Sequence, residues 1–163
     1  MNDYFDLFEM CSDPNTAYLA GWRPHKDLNT SKNVVLNYMY SGETYAIILK
    51  EEDKLIGTVS LYKEVFRKDV GARELGFCLN KDYREKGYMT EAVGKILEYG
   101  FKHLDISYIF AYTMPNNLHS QAILEHYHFL YEGCLRKFRR LFNKEIIDVK
   151  MYSLLKEEFI WLN

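Results

Sequence analysis

The residues best suited to chemistry lie in one stretch, ELGFCLNKDYREKGYMTEA, which runs from Glu74 to Ala92. Its pattern predicts a strand, then a basic turn that contains Gly87, then the first turn of a helix. Glycine lets a backbone approach a ligand closely, and the first N–H groups of a helix have no partners inside that helix. Arg84 and Lys86 place positive charge beside those N–H groups. The stretch therefore predicts a site for a diphosphate.

This turn differs from the two common phosphate-binding motifs. It contains neither the GxxxxGK[ST] of the P-loop nor the GxGxxG of the dinucleotide fingerprint. One alternative is a solvated basic turn in front of an amphipathic helix, with no ligand at all. Another is a generic site for nucleotide phosphates. The choice among these readings depends on the elements that surround the turn.

The elements that must position this stretch alternate between helix and strand. The sequence predicts helices at 2–11, 30–40, 88–104 and 117–126, and strands at 44–49, 55–62, 73–79, 108–113, 129–142 and 146–155. Thr30 or Ser31 is the expected N-cap of the second helix, and Pro14 is expected to stop the first. Helices interleaved with strands and followed by a closing hairpin indicate one mixed α/β sheet. The 163 residues contain no linker, so we expect a single domain over 1–163.

Composition narrows the classes of function. The formal net charge is −2, so no global field favours nucleic acid or an acidic membrane surface as a partner. No apolar run approaches the ~20 residues that span a bilayer, and MNDYFDLFEM lacks the pattern of a signal peptide. The 3 cysteines form no CxxC pair, which argues against a disulfide framework. We therefore expect a cytoplasmic protein without a membrane or nucleic-acid partner.

Later motifs extend the pattern over nearly the whole chain. Residues 84–89 fit [RQ]-x-x-G-x-[GA] with Met89 at the last position, and residues 117–120 form an N-x-x-S helix start. A strand that begins FLYEG, at 129–133, and a closing hairpin follow. This order resembles the GCN5-related N-acetyltransferase (GNAT) superfamily, and within it the subgroup that acetylates ribosomal-protein N-termini (RimJ/RimL-like). The resemblance implies a mixed, mostly antiparallel sheet flanked by helices.

The resemblance also implies acetyl-CoA as the donor of an acetyl group. Its diphosphate would bind the amides of the turn, its pantetheine arm would pair with the third strand, and Asn117 would bond an amide of that arm. Ser120 would lie near the sulfur, where it would protonate the leaving thiolate. The loop GWRPH, at 21–25, is similar to the substrate-side loop of the subgroup and would place Trp22 and Arg23 beside the acceptor; Trp22 could equally be a packing residue. The expected cofactor-binding residues are Phe77, Cys78, Leu79, Arg84, Lys86, Gly87, Tyr88, Met89, Thr90, Asn117 and Ser120.

The sequence departs from the pattern of this family in several places. The family usually opens with a strand, whereas this chain opens in a helix, so we expect a loop or a partner chain of a homodimer to cover the exposed sheet edge. Leu124 stands where many members carry a general-acid tyrosine, which leaves Ser120 as the candidate acid or as an ordinary helix-start hydroxyl. His128 replaces a glycine at the end of that helix and is expected at a positive φ. His126 and His128 follow no metal-ligand spacing, so no metal is expected.

The last departure concerns the general base. Arg139 stands where the ribosomal subgroup can carry a glutamate, and Glu74 is the alternative catalytic base, unless a neighbour neutralises it. An α-amine has a pKa of about 7.7–8.0 and a lysine amine one of about 10.4, so an α-amine needs less help from a base. We therefore expect a peptide or protein α-amine as acceptor. The alternatives are a small-molecule amine (a polyamine, an aminoglycoside or an amino acid) and a CoA-binding module without transfer activity.

Overall fold

The computed structural model describes residues 3–64 and 70–161. Over these residues the chain forms five α-helices and six β-strands. The helices are α1 (Asp3–Ser12), α2 (Pro14–Ala20), α3 (Leu28–Ser41), α4 (Tyr88–His103) and α5 (Leu118–His126). The strands are β1 (Thr44–Leu49), β2 (Lys54–Lys63), β3 (Ala72–Leu79), β4 (Tyr108–Thr113), β5 (Leu130–Arg140) and β6 (Ile146–Leu155). In this described part, no helix combines the length and the apolar character that a bilayer crossing requires.

All six strands belong to one sheet with the order β1-β2-β3-β4-β6-β5. Four of the five pairings are antiparallel, and only β3 and β4 run parallel, which confirms the predicted mixed, mostly antiparallel sheet. The parallel ladder is short, since it joins residues 72–74 only to residues 108–110. Beyond Glu74 the two strands continue without pairing to each other. The sheet is therefore open in its middle, between the second half of β3 and the second half of β4.

The main hydrophobic core lies between one face of the sheet and α4. Val93, Leu97 and Phe101, spaced four residues apart on α4, are each 0% exposed. This spacing places them on one stripe of the helix. They belong to one cluster with Leu75 of β3 and Ile109 of β4. The buried stripe therefore fixes α4 across the two strands that separate.

A smaller core lies on the opposite face of the sheet. Leu7, Met10 and Cys11 of α1 form a buried cluster with Leu55 of β2 and Cys78 of β3. Packing of α1 against α3 and β2 completes this layer. The two cores thus confirm a sheet flanked by helices, with β3 contributing alternate residues to each side.

Two helix starts differ from the sequence-based expectation. Pro14 was expected to stop a helix, but it is the first residue of α2, because Asp13 caps the helix by accepting a hydrogen bond of 2.8 Å from the Thr16 amide. Proline is favoured at that first position, where its missing N–H costs nothing. Likewise α3 begins at Leu28 with Asp27 as its cap, and not at Thr30 or Ser31; Asp27 accepts from the Thr30 amide at 2.7 Å.

The end of α5 confirms the expectation for His128. Its φ is 60°, in the left-handed region. The His128 amide donates to the Glu125 carbonyl at 3.0 Å, and the Phe129 amide donates to the Leu124 carbonyl at 3.0 Å. These two bonds form a Schellman motif, which ends helices at a residue of positive φ. His128 therefore replaces the usual glycine and adopts the left-handed backbone that a glycine would have there.

β1 is an edge strand of the sheet, and among the described residues no strand precedes α1. We expected a loop or a partner chain over this edge, but no described segment pairs with it. Instead the strand is short, with 6 residues, and its register shifts between Ile47 and Ile48. Short and irregular edges resist pairing with other chains. The shortness and irregularity of β1 therefore limit pairing at this edge, and a covering partner chain stays a prediction.

Candidate active site

A cleft of about 670 Å³ opens where β3 and β4 separate. Its walls are the second half of β3, the end of β4, the starts of α4 and α5, and the C-terminal end of α2. Most of the residues singled out from the sequence line it: Trp22, Glu74, Phe77, Cys78, Leu79, Arg84, Gly87, Tyr88, Met89, Thr90, Asn117 and Ser120. Arg23 and Lys86 do not line it, and both are exposed elsewhere. One cavity thus brings together the predicted cofactor end and the predicted acceptor end.

The N-terminus of α4 forms one end of the cleft. Gly87, the residue before the helix, has a φ of 83° and provides no side-chain cap. The first helical bond of α4 runs from the Glu91 amide to the Gly87 carbonyl, 3.0 Å. The amides of Tyr88, Met89 and Thr90 therefore have no partner among the described residues. A Cβ atom on Gly87 would meet no atom of the protein within 4 Å. Free amides beside open space fit a bound diphosphate.

A contact from α5 holds the first turn of α4 in place. The Tyr127 hydroxyl donates a hydrogen bond of 2.6 Å to the Thr90 carbonyl. Gly94, one turn further along α4, makes this approach possible, since a Cβ atom there would overlap the Tyr127 hydroxyl. Neither residue stood out in the sequence, because a helical glycine and an aromatic residue at a helix end carry no local signal of contact.

The Arg84 side chain is engaged with the protein and does not project freely toward a ligand. Its Nη2 donates to the Thr16 hydroxyl at 2.8 Å, and Nε and Nη2 donate to the Leu79 carbonyl at 3.3 and 3.2 Å. Arg84 thereby ties the end of β3 to the first turn of α2. Lys86 points along the surface, where its Nζ donates to the Asp82 carbonyl at 3.2 Å. The α4 amides therefore remain open to a ligand, while Arg84 and Lys86 each have a partner within the protein.

The first turn of α2 is built around the same contact. The Thr16 hydroxyl also donates to Asp13 Oδ2 at 2.7 Å, and Lys81 approaches Asp13 Oδ1 at 3.2 Å. The hydrogen bonds from Thr16 and the charge of Lys81 lower the pKa of the Asp13 carboxyl to about 2. Asp13 is thus a structural carboxylate and stays charged at neutral pH.

The middle of the cleft is the free edge of β3. From Leu75 to Leu79 no strand of the described chain pairs with β3 on its β4 side. An extended ligand chain with amide groups, such as a pantetheine arm, fits an edge of this kind. Cys78 lines the cleft and also belongs to the smaller core, and burial raises the pKa of its thiol to about 12. Cys78 is therefore a thiol at neutral pH and not a nucleophile. The three cysteines are free, as expected.

The start of α5 faces the unpaired edge of β3. Asn117 caps this helix, since its Oδ1 accepts from the Ser120 amide at 3.3 Å. Gln121, which the sequence did not single out, connects α5 to the segment before it and to β6. Its Nε2 donates to the carbonyls of Met114 and Pro115 at 3.2 and 3.0 Å, and its Oε1 accepts from Lys150 at 2.7 Å. This buried amide positions Asn117 and Ser120 at the cleft.

The other end of the cleft contains Glu74. Glu74 lies half-buried on β3, directly opposite Tyr62 of β2. Burial raises the pKa of the Glu74 carboxyl above its usual value, and the positive charge of Arg139 acts in the opposite direction. Trp22 closes this end from the loop after α2, and its indole Nε1 is buried without a hydrogen-bond partner in the described chain. A carboxylate with a raised pKa in a cleft is the usual setting of a general base.

Leu124 stands on α5 at the position of the family's general-acid tyrosine. It is 1% exposed, belongs to the main core and also reaches the cleft wall. Ser120, which lines the cleft, stays the predicted acid, with an ordinary helix-start hydroxyl as the alternative. Within residues 3–64 and 70–161, His, Cys, Asp and Glu side chains form no cluster of three or more that would hold a metal ion.

Comparison with known proteins connects this cleft to an enzyme family. A family model described as an acetyltransferase (GNAT) domain matches residues 1–130. The uncharacterised N-acetyltransferase p20 of Bacillus licheniformis is 31% identical over 158 residues, which cover 94% of this chain and 87% of that protein. The crystal structure of a GNAT-family acetyltransferase from Bacillus anthracis has a TM-score of 0.84 and 27% identity, over 95% of this chain and 90% of that chain.

Two further solved structures share the fold at lower identity. The ribosomal-protein-S5-alanine acetyltransferase of Vibrio fischeri is 23% identical with a TM-score of 0.74, and the match covers 98% of this chain and 92% of that one. The spermidine N-acetyltransferase of Vibrio cholerae, in complex with CoA and spermine, is 17% identical with a TM-score of 0.79, and the match covers 96% and 91%. The two differ in the acceptor that they are named for.

Proposed function

The chain belongs to the GNAT family of acetyltransferases, and from that premise we propose that it moves an acetyl group from acetyl-CoA to the α-amine of a peptide or protein. Members of this family use acetyl-CoA. The observation that carries the proposal is the cleft itself, which has free helix amides at one end and the Glu74 carboxylate at the other. Donor and acceptor would meet in its middle, so the amine would attack the thioester directly while both substrates are bound.

Each step assigns a task to a residue of this chain. Glu74 would take a proton from the ammonium group, directly or through a water molecule, because only a neutral amine attacks. The amine nitrogen would then bond to the thioester carbon, and backbone N–H groups near Leu79 would stabilise the charge on its oxygen. Cleavage of the carbon–sulfur bond would release CoA as a thiolate, to which Ser120 would give its proton. The acylated nitrogen would lose its second proton in the same step, and this proton would restore the Ser120 hydroxyl. The products are an N-acetyl group, free CoA and a proton taken up by Glu74.

The α-amine as acceptor is supported by chemistry and by resemblance. Its pKa of about 7.7–8.0 suits a site with a single carboxylate base, whereas a lysine amine at about 10.4 would need stronger activation. The motifs at 84–89 and 117–120 resemble those of RimJ/RimL-like enzymes. The cysteine pattern supports a reaction in the cytoplasm. A small-molecule amine is the second candidate, since a spermidine acetyltransferase has the same fold.

The experiment is an acceptor panel with acetyl-CoA and a thiol reagent that detects released CoA. The panel contains N-terminal peptides, the same peptides with blocked N-termini, lysine side-chain analogues, polyamines, aminoglycosides and amino acids. We expect CoA release with free peptide N-termini and none with blocked ones. Tight CoA binding without transfer to any amine would select a binding module, and equal protection against melting by ATP, NAD and CoA would select a generic nucleotide-phosphate site.

A further inference from the structure

We propose that the acceptor carries an anionic group close to its amine, and that Arg139 binds this group. The inference rests on the proposed function and adds a determinant of specificity to it. The anionic group would be a carboxylate or a similar anion. It could come from the acceptor's own α-carboxylate, as in a free amino acid, or from an acidic side chain near the start of a peptide.

Arg139 reaches the acceptor end of the cleft from β5, the edge strand opposite β1. It lies on β5, pairs with Ile147 of β6, and lines the cleft with Glu74. Its guanidinium extends to the end of α2, since a Cβ atom on Gly21 would lie 3.3 Å from Arg139 Nη1. The side chain therefore bridges the space above the sheet, between β5 and the loop that carries Trp22.

The guanidinium of Arg139 has no polar partner within the described part of the chain. It makes no hydrogen bond and no ion pair with the residues described here, and Glu74 influences it only at a distance. The other cleft arginine, Arg84, is bonded to Thr16 and Leu79. Of the two arginines that line the cleft in the described part of the chain, Arg139 is therefore the one available to a ligand. A guanidinium presents parallel N–H groups that match a carboxylate in two places.

Glu74 and Arg139 together give the acceptor end two opposite charges. A substrate with an ammonium group next to an anion would place one on each side chain. A polyamine would instead bring additional positive charge toward Arg139, which costs binding energy by like-charge repulsion. The pair thus favours a zwitterionic or acidic acceptor over a polycation.

The test uses acceptors that differ only in this charge. One pair is a peptide with aspartate or asparagine at its second position, and the other is a free amino acid and its carboxamide. We expect wild-type kcat/KM to favour the anionic member of at least one pair by about tenfold, the lower end of the worth of a hydrogen bond to a charged group, and Arg139→Gln to bring that ratio close to one. Which pair responds identifies the source of the anion. Arg140→Gln is the matched control. Arg140 is the next residue on β5, and among the described residues its side chain donates only to the Lys144 carbonyl, 3.5 Å.

Two results would overturn the inference. The first is an Arg139→Gln variant whose kcat/KM falls by the same factor for charged and neutral acceptors, while the acid limb of its pH profile moves to higher pH. Arg139 would then act only on the ionisation of Glu74. The second is equal rates for both members of both pairs in the wild type. If no amine is acetylated at all, the proposed function fails, and the inference is then judged by melting. The N-acetylated peptides with aspartate or asparagine at the second position must then raise Tm by different amounts in the wild type and by equal amounts in Arg139→Gln.

Discussion

Gly87→Ala offers the most direct test of the diphosphate site, because its effects on folding and on ligand binding separate. The residue has a φ of 83°, and a Cβ atom there meets no protein atom within 4 Å. The variant thus adds backbone strain but no internal clash. Left-handed backbone costs an alanine about 1–2 kcal/mol, and the loss of freedom in the unfolded chain returns about 0.4–1 kcal/mol. We expect the free energy of unfolding to fall by about 1 kcal/mol, or roughly 2–4 °C in Tm.

The effect of the same change on acetyl-CoA should be larger. The new methyl group would occupy the space in which a diphosphate approaches the amides of Tyr88 and Met89. A hydrogen bond to a charged group is worth about 1.5–3 kcal/mol, so the loss of one such bond raises KM for acetyl-CoA by about 10-fold to 100-fold. KM is measured by steady-state kinetics with a saturating acceptor, and Kd for CoA by calorimetry.

Gly42→Ala is the matched control for this experiment. Gly42 also has a left-handed backbone, with a φ of 66°, and also has open space around its Cβ direction. It ends α3 and does not line the cleft. We expect a similar loss of stability and an unchanged KM for acetyl-CoA. Equal KM values for Gly87→Ala and the wild type would refute the assignment of this turn to the phosphates.

Three other predictions follow from single contacts. Because burial raises the pKa of Glu74, the base is charged only above that raised value, and kcat/KM should fall on the acid side of it, at a higher pH than an ordinary glutamate would give. Glu74→Gln should remove this limb, and an unchanged profile would exclude Glu74 as the base. His128→Gly should leave the free energy of unfolding unchanged or raise it by up to about 1 kcal/mol in denaturant titrations, and clear destabilisation would count against the strained cap. Tyr127→Phe should lower stability by about 1 kcal/mol and raise KM for acetyl-CoA, since it frees the first turn of α4; a change in stability alone would mean that this turn does not depend on the bond.

The sequence predicted most elements of the fold because their signals are local. The strands at 44–49, 108–113 and 146–155 have the same bounds in the structure, since each is a run of apolar or alternating residues between turn residues. The sequence pattern does not predict α2, because Pro14 by itself indicates the end of a helix. The decisive feature was Asp13 just before it, which turns the same proline into the first residue of a helix.

The site was predictable in its backbone and much less so in its side chains. Gly87 before an amphipathic helix was enough to indicate the amides that line the cleft. The partner of Arg84, in contrast, is Thr16, which lies 68 residues away in the sequence. Gln121 likewise depends on Lys150, 29 residues away. Contacts of this kind follow from the packing of elements, and no spacing within one element reports them.

The short helix α2 links the two ends of the cleft. Its first turn is bonded through Thr16 to Arg84, in the turn that precedes the α4 amides. The loop after its last turn carries Gly21 and Trp22, which line the predicted acceptor end. Seven residues of helix span about 10 Å as a stiff rod. A shift of the Arg84 turn on donor binding would therefore move the acceptor wall with it. Thermodynamic reciprocity then requires the acceptor to change the affinity for acetyl-CoA by the same factor by which acetyl-CoA changes that for the acceptor.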